Sequence, residues 1–315
     1  MSPILPPLPN GSVVTVGSFD GVHLGHQAVL REIGRRAAAA RRPSVLVTFE
    51  PHPLEVVNPH AAPQVLTTGP ERREILAQTD LEYVVFLRFD RGLAELSPTG
   101  FVREVLVGRC QMKELVIGHD HGFGRGRTGD VETLRQLGVS DGFDVDVIAP
   151  VETGGHPISS TQIRRAVAGG DLRGAALLLG RPYHVSGRIV RGVGRGKTIG
   201  VPTANVGAVP GRKLLPPDGV YAAWVEWRGG RYGAMMNQGT RPTFSEHLSL
   251  MEVHLFDFSG DLYDEWVKVE WIERLRDVKR FASAAELKDQ LQFDREQAVA
   301  VLAASEAGAR RVSHG

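Results

Sequence analysis

The pattern of apolar residues changes once along this chain, near Gly180-Arg181-Pro182, and that change restricts the fold more than any other feature. Before it, short apolar runs alternate with stretches of helical period. Residues 12–17, 44–49, 83–89, 114–118 and 144–149 read as strands. Helices are expected from about Leu24 to the Ala37–Ala40 run, over 71–78, from the Ser97-Pro98 cap through Leu106, and from Asp130 to Leu137. Strands alternating with helices predict an α/β unit built on a Rossmann-like, doubly wound parallel sheet. Such sheets bind ligands beyond the carboxyl ends of their strands. After Pro182 the segments alternate with period two between glycine turns. Residues 219–227 and 231–236 read as a hairpin, and 251–258 and 266–271 as further strands. This predicts an antiparallel β-barrel. Ser283-Ala-Ala-Glu286 is a capping box opening a C-terminal helix through Leu287, Leu291, Ala298 and Leu302. The tail from Ser305 reads as disordered. Two domains, 1–180 and 181–315, agree with a prior of roughly 150 residues per domain.

Charge and cysteine usage narrow the class. The 37 basic residues nearly balance the 36 acidic ones, so no basic surplus argues for nucleic acid. Cys110 is the single cysteine, which excludes an intrachain disulfide and fits a reducing compartment. The proline-rich N-terminus lacks the character of a signal peptide. No apolar run approaches the roughly 18 residues of a membrane span. The expectation is a cytoplasmic protein without membrane or nucleic-acid partners; a weak homo-oligomer is left open.

Two motifs bear chemistry in the first half. In Val14-Thr-Val-Gly17-Ser-Phe19-Asp20-Gly21-Val-His23-Leu-Gly25-His26 an apolar run ends in a glycine turn, and a helix follows. Backbone N–H groups and the helix dipole can hold phosphate there. The three-residue spacing predicts that His23 and His26 share one helical face. By themselves they are equally a solvated helix turn or half of a metal site. In Ile158-Ser159-Ser160-Thr161-Gln-Ile-Arg164 the hydroxyls are N-cap candidates, with an arginine one turn in. Gly124-Arg-Gly126-Arg-Thr-Gly129 matches a dinucleotide fingerprint but does not directly join a strand to a helix. Gly192-Val-Gly194-Arg-Gly196-Lys197-Thr198 is one residue short of a P-loop, and Pro202 stands where the helix would be required.

Together these strings resemble a known family. The first two motifs are similar to the signatures of HxGH nucleotidylyltransferases. Thr48-Phe-Glu-Pro-His52-Pro and Gly118-His119-Asp120-His121-Gly-Phe123 resemble the amino-terminal module of bacterial bifunctional riboflavin kinase/FAD synthetases. Gly194 to Val206, with Pro202-Thr203-Ala204-Asn205 at its core, resembles the riboflavin kinase signature; Lys197 stands where the family usually has arginine. Met236-Asn237-Gln-Gly239 and Met251-Glu252-Val-His254 complete the pattern.

The resemblance implies two reactions, riboflavin to FMN with MgATP in the barrel and FMN to FAD with release of pyrophosphate in the first domain. It assigns His23 and His26 to the transferring α-phosphate and Glu252 to the kinase base. Ser159, Ser160, Thr161 and Arg164 would hold the triphosphate, and Gly17, Phe19, Asp20, Gly25, His52 and Asp120 would line the nucleotide and flavin pockets. In the barrel, Gly194, Lys197, Gly200, Pro202 and Asn237 would bind nucleotide or flavin, and Thr203 and Asn205 would hold Mg²⁺. Such an enzyme uses ATP as co-substrate and riboflavin, FMN and FAD as substrates or products. The alternative is a nucleotidylyltransferase for another substrate, with a non-catalytic flavin-binding barrel.

Overall fold

The structure, a computed structural model, describes residues 5–118, 131–191, 202–207, 212–242 and 247–312; for 240–242, 247–250 and 308–312 it describes the backbone alone. The chain divides into two compact units, residues 1–160 and 161–315.

In the first unit the elements run in the expected alternation. They are β1 (Ser12–Val16), α1 (Leu24–Ala40), β2 (Ser44–Glu50), α2 (Pro53–Val57), α3 (Gly69–Leu76), β3 (Tyr83–Arg88), α4 (Arg91–Glu95), α5 (Pro98–Phe101), a π-helix (Val102–Arg109), β4 (Met112–Gly118), α6 (Val131–Asp141) and β5 (Asp144–Ile148). The strands form one parallel sheet in the order β3-β2-β1-β4-β5. β1, five buried residues between two neighbours, is its centre. Val14 and Val16 face one core with Phe101, Val105 and Leu134, and Val13 faces the other with Leu30 and Ile33 of α1. That two-sided burial is what the short apolar runs require. A small hairpin, β6 (Glu152–Thr153) and β7 (His156–Pro157), follows, turning through Gly154 and Gly155 at φ +59° and +78°.

Three local expectations change. The helix expected through Leu106 becomes α5 and then a π-helix, whose wider turn closes when the Cys110 N–H reaches back five residues to the Val105 carbonyl at 3.0 Å. The capping role read for Asp130 lies outside the described residues. The third change concerns the chain's end. Instead of a disordered tail from Ser305, the last helix continues to Val312, through a run of alanine and arginine that favours helix.

The second unit contains α7 (Ser160–Ala168), whose first residue belongs to the preceding unit, α8 (Leu172–Leu179), β8 (Tyr183–Val190), β9 (Ala204–Val206), β10 (Gly219–Trp227), β11 (Gly230–Pro242), β12 (His247–Leu255), β13 (Trp266–Arg276) and α9 (Ala284–Val312). The six strands close into an antiparallel barrel in the order β10-β11-β12-β9-β8-β13. Strand alternation puts Tyr221, Met236, Met251, Val253, Val269 and Trp271 inside. Trp271 Nε1 donates to Gln238 Oε1 at 3.1 Å, and the Tyr221 hydroxyl donates to the Pro217 carbonyl, so these polar edges of the core are satisfied. The β10–β11 hairpin turns through Arg228 and Gly229, both left-handed at φ +47° and +80°, as a two-residue hairpin of this twist demands. α9 lies on the outer face: Ala298 and Leu302 pack on Ala222, Trp224, Met235 and Phe256. Arg276 grips the fully buried Asp294 through Nε at 2.9 Å and Nη2 at 2.7 Å. The Ser283 cap forms, with the Glu286 N–H donating to Ser283 Oγ at 3.2 Å, but the Glu286 carboxylate accepts from Ala282 rather than from Ser283.

Candidate active sites

The turn after β1 is held in an unusual backbone conformation. Phe19 and Val22 have φ +47° and +40°, and Gly21 has φ +81°. A left-handed β-branched residue is a true outlier, of order 1–3 kcal/mol, and persists only where the surroundings hold it. The holding group is Asp20. Its carboxylate, 1% exposed, accepts from the Leu66 and Thr67 N–H groups, each at 2.9 Å, and from Thr67 Oγ1 at 3.1 Å. Thr67 Oγ1 in turn accepts from the Gly21 N–H at 3.1 Å. Asp20 therefore points into the protein and braces the turn from behind; lining a pocket is not its geometry here.

The two histidines meet, though not as the spacing predicts. His23 is not on the helical face. It is the N-cap of α1, in extended conformation, and its Nδ1 accepts from the His26 N–H at 3.3 Å. Its ring stacks on that of His26 with centroids 3.6 Å apart, and Phe19 packs on the other side of His26 at 4.6 Å. The order of rings is thus Phe19, His26, His23. A Cβ at Gly25 would come to 3.1 Å from the His23 ring, and one at Gly17 to 3.1 Å from the Phe19 ring, so a side chain at either place would press on the ring stack.

Other expected residues of this half fall as follows. His52 caps α2, with Nδ1 accepting from the Leu54 N–H at 3.2 Å. Ser160 Oγ donates to the Asp20 carbonyl at 3.0 Å, tying the start of α7 to the turn. Ser159 is half-buried beside it in sequence. Thr161 is exposed in the first turn of α7, and Arg164 is half-buried one turn on; both belong to the second compact unit. Asp120 lies outside the described residues.

The barrel assembles its residues by strand register. Asn205 on β9 stands opposite Glu252 on β12, and Glu252 stands opposite Asn237 on β11. Directly paired residues share a sheet face, so the three form one row across three strands. Asn205 is buried at 6% exposure, Glu252 is half-buried and Asn237 is exposed. On the same face, two residues beyond Glu252, the His254 ring lies 2.7 Å through Nδ1 from the Pro202 carbonyl. A carbonyl only accepts, so Nδ1 carries the proton. That bond anchors Pro202 just before Thr203, which is half-buried. Gly194, Lys197 and Gly200 lie outside the described residues.

Thr203 and Asn205, at the start of β9, are of the donor type that suits a hard cation. A threonine hydroxyl and an asparagine carbonyl are neutral oxygen ligands, and Mg²⁺ takes few protein ligands while keeping waters. Among the described residues no group of three or more His, Cys, Asp or Glu could hold a metal ion. Sequence reasoning overlooked Thr67 and Arg72. Arg72 Nη1 donates to the Ser18 carbonyl at 2.9 Å and Nη2 to the Phe49 carbonyl at 2.7 Å. The only sequence signal was the Thr68-Gly-Pro-Glu71 capping box that places α3.

Comparison with known proteins assigns both halves. The FAD synthetase family model matches residues 5–162, and the riboflavin kinase model matches residues 179–302. The bifunctional riboflavin kinase/FMN adenylyltransferase of Escherichia coli K12 is 40% identical over 90% of each chain. The protein of the same name from Pseudomonas fluorescens is 39% identical over 96% of each. This chain belongs to that family. It is a bifunctional enzyme that forms FMN from riboflavin and FAD from FMN. The crystal structure of a macrolide-efflux protein from Streptococcus pneumoniae also superposes, with TM-score 0.82 and 35% identity over 91% of this chain and 93% of that one. Efflux is that protein's by name, and the fold is what it shares with this chain. No helix among the described residues is long and apolar enough to cross a membrane.

Proposed function

We propose that the two reactions are divided between residues 1–180 and 181–315, and that named side chains carry each. In the first, a phosphate oxygen of FMN attacks the α-phosphorus of ATP and pyrophosphate leaves. His23 and His26 aim ring N–H groups at the charge that develops on the α-phosphate, which is how a reaction without a covalent intermediate is accelerated. Ser159, Ser160, Thr161 and Arg164 hold the triphosphate, with Gly17, Phe19, Gly25, His52 and Asp120 around the nucleotide and flavin. Asp20 serves the site as a brace.

In the second, Glu252 accepts the proton of the ribityl 5′-hydroxyl as its oxygen attacks the γ-phosphorus of ATP, and ADP leaves. Asn205 and Asn237 flank the carboxylate and orient substrate, and Gly194, Lys197, Gly200 and Pro202 belong to the nucleotide loop. Thr203 and Asn205 hold Mg²⁺, which when bound with ATP neutralises phosphate charge. The cytoplasm supplies the small molecules this requires; neither nucleic acid nor membrane takes part.

The observation that carries this reading is the cross-strand row Asn205–Glu252–Asn237, which brings three motif residues from separate segments to one place. Incubation of the full chain with riboflavin, ATP and Mg²⁺, followed by chromatography of the flavins, tests it. FAD is expected. FMN alone would remove the adenylyltransferase assignment, and unchanged riboflavin would remove the kinase.

A further inference from the structure

Arg72 occupies a place that stability alone does not explain. It sits in α3 at 5% exposure, with its guanidinium bridging the carbonyls of Ser18, two residues past β1, and Phe49, near the carboxyl end of β2. Ser18 precedes the left-handed Phe19, and its carbonyl also accepts from Thr48 Oγ1 at 3.0 Å. Arg72 Nε is buried without a hydrogen-bond partner among the described residues. Burial pushes the guanidinium pKa down, and the charges of Asp20 and Glu50 only oppose this. An apolar side chain of similar volume would avoid burying a charge with an unpaired donor, which is expensive. What an apolar residue could not do is fix two carbonyl directions at once. A planar guanidinium does so with two parallel donors. The carbonyl it fixes belongs to the residue next to Phe19, whose ring packs on His26 at 4.6 Å.

We propose that Arg72 is a positioning residue for adenylyl transfer: by gripping the Ser18 and Phe49 carbonyls it holds the turn that carries Phe19, and through Phe19 it sets the orientation of the His26 ring. Asp20 and Thr67 brace the same turn from the Gly21 side, so the strained segment is clamped at both ends. The proposal rests on the reading of the histidine turn as the adenylyltransferase site.

The test uses the full chain: circular dichroism reports whether the first unit, which contains Arg72, is folded, and kinase activity of the same preparation reports on the second. Arg72→Met should lower kcat for FMN to FAD on the order of 100-fold, the scale of a misplacement of about an ångström, with KM for FMN and ATP little changed. Riboflavin phosphorylation by the same preparation should be unaffected. In Arg72→Ala, guanidinium ion at a sub-denaturing concentration should restore part of the lost kcat, and methylammonium should not. Arg72→Lys, which can reach one carbonyl only, should fall between Met and wild type. Wild-type kcat in Arg72→Met or Arg72→Lys overturns the proposal. So does a loss in Arg72→Ala that guanidinium leaves unrepaired, which marks a purely structural role. If the Met and Ala variants do not fold, Arg72→Lys decides by the same kcat criterion. His26→Ala assayed alongside separates the two levels: FAD synthesis at the wild-type rate removes the site reading itself, whereas an inactive His26→Ala with a fully active Arg72→Lys removes only the role of Arg72.

Discussion

The two candidate sites are made by opposite means. In the parallel-sheet unit the functional groups lie on a turn beyond the strands. Their geometry depends on left-handed residues, Phe19 and Val22, and on buried polar clamps, Asp20, Thr67 and Arg72. In the barrel, Asn205, Glu252 and Asn237 lie within the strands, and the hydrogen-bond ladder itself brings them together. A parallel sheet is covered by helices, leaving its strand ends as the open place for chemistry. A closed antiparallel barrel has an outer face where charged side chains can stand in register. The first arrangement must hold a strained backbone in place; the second needs only correct strand pairing. Clamp residues should therefore matter for FAD synthesis in a way that has no counterpart in the kinase.

The largest effects should come from a crossed pair of variants. Glu252→Gln should reduce riboflavin phosphorylation by about 10²–10⁴-fold, the usual worth of a positioned base, and leave FMN-to-FAD conversion intact. His26→Ala should do the reverse. Both are read by separating flavins after incubation with riboflavin or with FMN, and loss of both activities in either variant would break the two-site division.

Removal of a clamp comes next. Asp20→Ala strands the Leu66 and Thr67 N–H groups in a buried place, at about 1–3 kcal/mol for each unpaired donor. The first unit should unfold at lower urea by circular dichroism, and FAD synthesis should slow while the kinase persists. An unchanged FAD rate would show that the strained turn needs no brace.

A smaller, pH-dependent effect should single out the barrel. His184 is buried on β8 beside Lys213, Lys268 and Arg181, with Glu270 opposite it on β13. Burial first, then those cations, hold its pKa well below the ordinary 6.5. The folded state keeps it neutral while the unfolded chain can protonate it. Stability is therefore full above about pH 6.5 and falls as pH drops from there toward the folded value, by at most about 1.4 kcal/mol per pH unit. All 4 tryptophans, at 224, 227, 266 and 271, lie after Pro182, so their fluorescence reports on the barrel. Urea midpoints followed that way should decline below about pH 6.5, and His184→Gln should flatten the decline. The smallest effect belongs to a pair outside both sites. Arg35 and Glu32 meet on exposed α1 at 2.6 Å, and Arg35→Ala should leave both activities and the urea midpoint where they are.

Much of this was readable in the sequence because it is local. The switch in period near Pro182, the Ser97-Pro98 cap and the Ser283 cap are written in neighbouring residues, and the structure has them. The His23–His26 spacing was readable too, but the way the rings meet was not. A helical wheel presumes that both residues are helical. Here Val22 enters the left-handed region, and His23 becomes the cap. The extent of α9 beyond Ser305 was misjudged for a related reason: composition near a chain end is a weak guide where the helix before it is already packed.

The sequence by itself determined an α/β half, a barrel half and the family to which they belong, since apolar period and signature strings survive without coordinates. Only the tertiary structure decided which residues come together. Glu252 meets Asn205 and Asn237 through pairings between segments of 15 to 47 residues' separation, and no local rule contains that register. Asp20, an obvious ligand candidate in the motif, turns inward because the Leu66–Thr67 segment offers it buried donors 46 and 47 residues away. Arg72, unremarkable in its own neighbourhood, ends beneath the histidine turn because β1 and β2 pair in parallel and bring the Ser18 and Phe49 carbonyls within reach of one guanidinium.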